Sequence, residues 1–237
     1  ANFEEFQRIG HYTSISRWAE SLPDAMVKNR PRLALIYAVG VMLAKHDLEA
    51  VHRLGDWADD AINAIERNGD FDPRDDIHGT VVGPEGLDAL KGELLALRFF
   101  HSGWTLPPGE ATKIGQAALR LLPAEKHHAR GLIYLIDAEI QLGVAEMKSV
   151  LPLLEKGVEE ARNAQDYTLL LYGLSGVGQV NVAMGQLDHG MRFYEEALSV
   201  GLEASAEANW VMCCPHTWIA EVLWEKGDLA GAADHAS

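Results

Sequence analysis

The chain has 237 residues, 48% of them hydrophobic, and a formal net charge of -15. That is enough apolar material to bury a continuous core, while the acidic balance argues against a nucleic-acid surface, which needs clustered Lys and Arg to displace counterions from phosphates. The only cysteines, Cys213 and Cys214, are adjacent, which leaves no disulfide framework and no zinc site with paired ligand spacing, and fits a reducing cytoplasm.

Taken in chain order, residues 2–9 read as a short amphipathic helix with Phe3 and Phe6 on one face. Thr13 or Ser14 caps a second helix that passes Trp18 and is ended by Leu22-Pro23, so residues 1–29 are lead-in helices. Arg30-Pro31 opens the first long pair with proline at a tolerated first-turn position, and its helix runs to Lys45. The antiparallel partner spans 48–66, with Ala50, Leu54, Trp57, Ala58, Ala61 and Ile65 on one stripe. Residues 67–83 break the pattern with Gly, Asp and Pro. Asp70, Asp72, Asp75, Asp76 and His78 could suggest a metal loop there. Their spacing fails the EF-hand pattern and Pro73 interrupts it, so the reading is a solvated acidic loop, functional or disordered. Further helices are predicted over 84–101, 108–122, 127–142, 146–164, 167–184, 187–202 and 209–226.

The stretch 178–202 supplies the ruler for the rest. It reads as an apolar helical run, a turn at Gly185, and a second amphipathic run carrying Gly190, Tyr194 and Ala197. Small residue, glycine turn, small residue, aromatic and alanine at these offsets match the tetratricopeptide pattern. Gly178 lets the second helix approach, and Tyr194 fills the wedge between repeats. Helix-ending glycines recur at Gly103, Gly143, Gly185 and Gly227, spaced by 40, 42 and 42 residues, with earlier equivalents at His46-Asp47 and Gly10-His11. In the Gly103 repeat, Ala111, Gly115, Ala118 and Pro123 keep the second-helix markers. The prediction is an all-α, right-handed superhelix of antiparallel tetratricopeptide-like helix pairs with lengthened helices, in one elongated domain over 1–237. The start at Ala1-Asn2-Phe3 without methionine, and the stop at Ser237 inside a barely begun second helix, read as a fragment of a longer multidomain protein.

Motifs for chemistry fail in turn. There is no GxxxxGK[ST] phosphate loop. Gly173, Gly176 and Gly178 lack the lysine and the preceding strand of a nucleotide loop and read as helix contacts, and the same segment misses the GxSxG elbow because the fifth residue is Val177. His127-His128 point apart on a helix, and Cys213-Cys214 read as buried fillers at a helix start rather than redox groups. No run of about 18 apolar residues and no export leader is found. The expectation is a chain that is no enzyme, holds no metal or cofactor, and contacts neither membrane nor nucleic acid itself.

A stack of helix pairs offers a concave face made by the first helix of each pair. Counting back from each turn glycine gives Glu93, Leu97 and Phe100 in one repeat, then Arg130, Ile133, Asp137 and Gln141. The next repeat gives Tyr172, Ser175, Gln179 and Val182, and the last gives Thr217, Glu221 and Trp224. Aromatic walls, a few donors and acceptors and one arginine suit a small polar ligand or a peptide. Equally, these residues could satisfy one another between helices.

The residues also carry a resemblance. Trp18 with Leu22-Pro23, then Arg30-Pro31-Arg32-Leu33 with Ala34 and Ala38, resembles the segment that follows the nucleotide-binding part in large ATP-dependent LuxR-type transcription regulators of the maltose-activator, or MalT-like, kind. Gly92-Glu93, Ala96-Leu97-Arg98, Ala118-Leu119, Leu122-Pro123, Arg130-Gly131 and the 185–197 repeat follow in the order of that family's central superhelical domain. The resemblance implies a cytoplasmic bacterial sensor domain, joined in the full protein to an ATPase and to a DNA-binding helix-turn-helix. Its groove would receive a small-molecule inducer or a regulatory protein, with ATP bound only by the ATPase. Two other readings stay open: a free-standing scaffold that binds proteins and no small molecule, and an enzyme-associated or purely structural repeat.

Overall fold

The computed structural model describes residues 11–45, 47–68, 84–203 and 212–236. Among them are twelve helices and no strand: α1 Tyr12–Glu20, α2 Asp24–Lys28, α3 Pro31–Lys45, α4 Leu48–Asn68, α5 Pro84–Thr105, α6 Pro108–Leu121, α7 His127–Leu142, α8 Met147–Ala164, α9 Tyr167–Ala183, α10 Leu187–Glu203, α11 Cys213–Glu225 and α12 Leu229–Ala236. They divide into two compact units, 11–129 and 130–236. The acidic stretch Asp70, Asp72, Asp75, Asp76 and His78 lies outside the described residues, as does the helix expected over 2–9.

In the first unit, α3 and α4 form one antiparallel pair and α5 and α6 the next, and α5 packs on both members of the pair before it. That is the contact order of tetratricopeptide repeats, in which each first helix seals the preceding hairpin. The core is Ala34, Leu35, Ala38, Val41 and Met42 of α3, Val51, Leu54, Ala58 and Ile62 of α4, and Leu90, Leu94 and Phe99 of α5. Ahead of this, α1 lies against α3 where Gly40 leaves no room: a β-carbon there would come within 2.8 Å of Ile15 Cγ2. No side chain caps α1, so the capping role expected of Thr13 or Ser14 is corrected, since the helix already begins at Tyr12. Asp47 does cap α4, its Oδ1 accepting from the Ala50 amide at 3.0 Å.

The second unit repeats the scheme with α7 and α8, α9 and α10, and α11 and α12. Here α9 packs on α8 and α10, and α11 packs on α9 and α10. Close approach at the α9–α10 crossing comes from two glycines. A β-carbon on Gly178 would sit 2.6 Å from Tyr194 Cδ1, and one on Gly190 would sit 2.8 Å from the Gly178 carbonyl. The offsets that defined the repeat in the sequence are therefore the positions where the two helices touch.

The turns agree with the sequence reading at three of the four glycines, and two of those three take the left-handed conformation. Gly185 and Gly227 have φ of +80° and +82°, and the following amides, of Gln186 and Asp228, reach back to the Asn181 and Leu223 carbonyls at 2.9 Å. These are Schellman ends, which need a left-handed residue. Gly103 ends no helix, because α5 runs on through Thr105 and stops only where Pro107 and Pro108 forbid continuation. Gly143 follows the end of α7 without a left-handed φ.

The same Schellman closure ends α8, with the Asp166 amide donating to the Ala161 carbonyl at 3.0 Å, but the left-handed residue is Gln165, at φ 52°. A β-carbon in that region crowds the following carbonyl oxygen. Gln165→Gly should therefore stabilise the fold by ~0.5–1 kcal/mol, read as a rise in the urea midpoint at unchanged slope. Asp166 next to it caps α9, its buried carboxylate accepting from the Leu169 amide at 2.9 Å.

Candidate binding surface

The residues proposed for a groove occupy different environments in each unit. In the first unit, Glu93 is half-buried and paired with Lys126 at 2.6 Å, Phe100 is half-buried, and Leu97 is 5% exposed. Leu97 faces α4, where a β-carbon on Gly55 would meet its Cδ2 at 3.7 Å. It is core rather than groove lining, a correction that follows from counting back from Gly103, which lies inside α5 and marks no helix end.

In the second unit, the helical period sorts the candidates by face. On α9 the partly open stripe is Tyr172, Gly176, Gln179 and Ala183, and of these only Ala183 is exposed. Ser175 lies off this stripe and is buried, and Val182 packs against the cluster of Tyr194, Ile219 and Val222. On α11 the exposed stripe is Cys213, Thr217, Glu221 and Trp224, and Trp224 is 61% exposed. On α7, Ile133 is buried, whereas Arg130 and Gln141 are half-buried. The candidates on α9 lie along the border between its open and packed sides, so Ser175 and Val182 fall inward while Tyr172 and Gln179 stay partly open, and Ile133 falls on the packed side of α7.

Several of the polar members have partners within the unit. Arg130 Nε donates to Glu160 Oε1 of α8 at 2.8 Å, with both side chains less than a fifth exposed. Asp137 accepts from Gln141 Nε2 at 3.0 Å, and Thr217 donates to the Cys213 carbonyl at 2.7 Å. The Ser175 hydroxyl is buried without a hydrogen-bond partner. None of these contacts is the pairing of candidates between helices that the sequence reading allowed: Arg130 reaches across to Glu160, which was not a candidate, and Asp137 and Gln141 pair along α7.

One contact joins the first helices of the unit across their open side. The Tyr172 hydroxyl of α9 donates to Glu139 Oε2 of α7 at 2.5 Å. Burial, then the Glu139 carboxylate, push the Tyr172 hydroxyl well above the usual tyrosine range, so it stays a donor at any physiological pH. Burial and the adjacent Cys213 push the Cys214 thiol up to about 11, leaving it an un-ionised, weakly nucleophilic group. Cys213 itself is exposed, which corrects its reading as a buried filler. Glu139 and Cys214 were not among the sequence candidates. Glu139 could have been found as the one acidic residue of α7 that falls off its apolar face.

Ion pairs across helices differ in worth. Removing Arg130 leaves Glu160 desolvated and without that charge partner, so Arg130→Met should cost ~1–3 kcal/mol. The exposed Arg162–Glu196 pair between α8 and α10 gives the contrast: Arg162→Met should cost no more than ~1 kcal/mol. Urea unfolding of both variants tests the difference. A loss at Arg130 reports packing first, so binding changes at this position need the stability measurement beside them.

Among the described residues, no group of three or more His, Cys, Asp or Glu side chains could hold a metal ion, and no helix is long and apolar enough to cross a membrane. The helix pairs and their order match a known pattern in sequence as well. A family model described as the MalT-like TPR region matches residues 92–237. This chain belongs to that family. The match begins at Gly92, where a β-carbon would come within 2.8 Å of Leu122 Cγ, the seam between α5 and α6. The chain is also similar to the HTH-type transcriptional regulator MalT of Serratia proteamaculans (strain 568), 22% identical over 220 residues that cover 91% of this chain and 22% of that protein. The chain spans about a fifth of the length of the relative it matches.

Proposed function

We propose that this MalT-like TPR region is the sensor of an ATP-dependent, LuxR-type transcription regulator, working in the bacterial cytoplasm. The open faces of its first helices receive a small-molecule inducer or a regulatory protein, and occupancy is passed to a DNA-binding domain elsewhere in the full protein. The chain performs no catalysis and carries no cofactor, ATP being bound by a separate domain. The family match over residues 92–237 carries this reading. The contact of Tyr172 with Glu139 supports a place for the signal to enter, because a ligand that takes either partner of this hydrogen bond changes how α7 and α9 are tied. Regulation then requires only that the ligand bind one arrangement of these helices better than another, and a coupling of ~1–3 kcal/mol is typical.

A protein partner in place of a small molecule is favoured by one observation, the exposed Trp224, since aromatic side chains anchor protein contacts. Calorimetric titration of this chain with compounds that activate the full-length regulator separates the two. Heat that is reduced by Tyr172→Phe or Gln179→Ala supports the small-molecule sensor. No heat, with the full protein still responding, overturns it, and loss of partner capture in Trp224→Ala then supports the scaffold.

A further inference from the structure

Helix α12 has eight residues and none of them is buried, and Leu229 at its start is 64% exposed. The helix packs on α11 through several contacts. One of these is a pair of imidazoles. His216, in the first turns of α11, and His235, in the last turn of α12, bring their Nδ1 atoms to 3.1 Å, with ring centroids 5.2 Å apart and planes tilted by 40°. Both side chains are half-buried.

Two arrangements fit nitrogen atoms at that distance. One is a hydrogen bond between neutral rings, in which one Nδ1 carries the proton and the other accepts. The other is a shared metal ion. Ligand bonds of about 2.0–2.1 Å at an angle near 100° place two imidazole nitrogens about 3.1–3.2 Å apart. The overall charge of -15 does not oppose a cation.

We propose that His216 and His235 form a two-imidazole site for a late first-row divalent ion, Ni2+, Cu2+ or Zn2+, which pins α12 onto α11. No group of three or more ligands is assembled among the described residues, so water completes the coordination shell and the ion exchanges readily. Imidazole donors select these ions against Mg2+ and Ca2+, which demand oxygen ligands. The site uses residues outside the α7 and α9 contact and stands whatever that surface binds.

The test uses the 237-residue chain, stripped with chelator, at pH 7.5. Adding NiCl2 should raise Tm and slow amide exchange in residues 229–236, with MgCl2 doing neither. In His216→Ala and in His235→Gln the Ni2+ response should disappear, with affinity by calorimetry lowered at least tenfold. His235→Gln keeps a polar side chain of similar length, and circular dichroism confirms that it folds. Unchanged Tm and exchange in the wild-type chain on adding Ni2+ would overturn the proposal. So would an equal response in either variant, or protection confined to helices other than α11 and α12.

Discussion

Tyr194→Ala is expected to lower stability by about 3–5 kcal/mol, the range for truncating a fully buried large aromatic side chain. Tyr194 is 1% exposed and joins three helices: its ring lies over Gly178 of α9, and Ile219 and Val222 of α11 close its other side. Val182, Leu187, Met191, Leu198, Trp218 and Leu223 pack around this cluster. Removing the ring therefore leaves a void shared by two successive repeats, and neither can collapse into it without giving up contact with the other. Tyr194→Phe keeps the ring and should cost less than about 1.5 kcal/mol. Urea unfolding followed by circular dichroism distinguishes the two, and equal losses would mean that the hydroxyl rather than the ring holds the repeats together.

The importance of that position was legible in the sequence because a tetratricopeptide hairpin restricts a few positions to a few residue types. Only a small residue fits at Gly178, where the ring of Tyr194 lies against the helix backbone, and only a left-handed residue fits at Gly185 and Gly227. Elsewhere the same physics is met by residues that carry no signature. Gln165 closes α8 in the left-handed conformation although nothing in its type announces it. Pro107 and Pro108, not Gly103, decide where α5 stops. The binding surface was harder to read for a related reason. Whether a helical residue faces solvent or a neighbouring helix turns on about 100° of rotation per residue, so Ser175 is buried while Gly176 beside it is partly open. Cross-helix partners such as Glu160 for Arg130 and Glu139 for Tyr172 are 30 and 33 residues away, and no local pattern reports them.

The next largest effect is expected one repeat earlier, at a glycine that the sequence pattern did not single out. Gly157 of α8 faces Leu135 of α7 so closely that a β-carbon would lie 2.6 Å from Leu135 Cγ and 3.4 Å from its backbone nitrogen. The leucine has little room to swing aside, because the residue is 1% exposed and its other flank lies against α9 at Gly173, close enough that a β-carbon added there would come within 3.1 Å of its Cδ2. Leu135 is thus a knob seated between two glycines on different helices, the counterpart of Tyr194 against Gly178. Gly157→Val should force α7 and α8 apart and cost about 3 kcal/mol or more, the upper end for overpacking. If the clash with Leu135 is the cause, the cost must depend on Leu135. Leu135→Ala alone should cost about 2–5 kcal/mol by leaving a cavity, but the double variant should be more stable than the sum of the two losses by at least ~1 kcal/mol, because the valine occupies space the leucine has vacated. Strict additivity in that cycle would show that Gly157 is required for its backbone and not for the room it leaves.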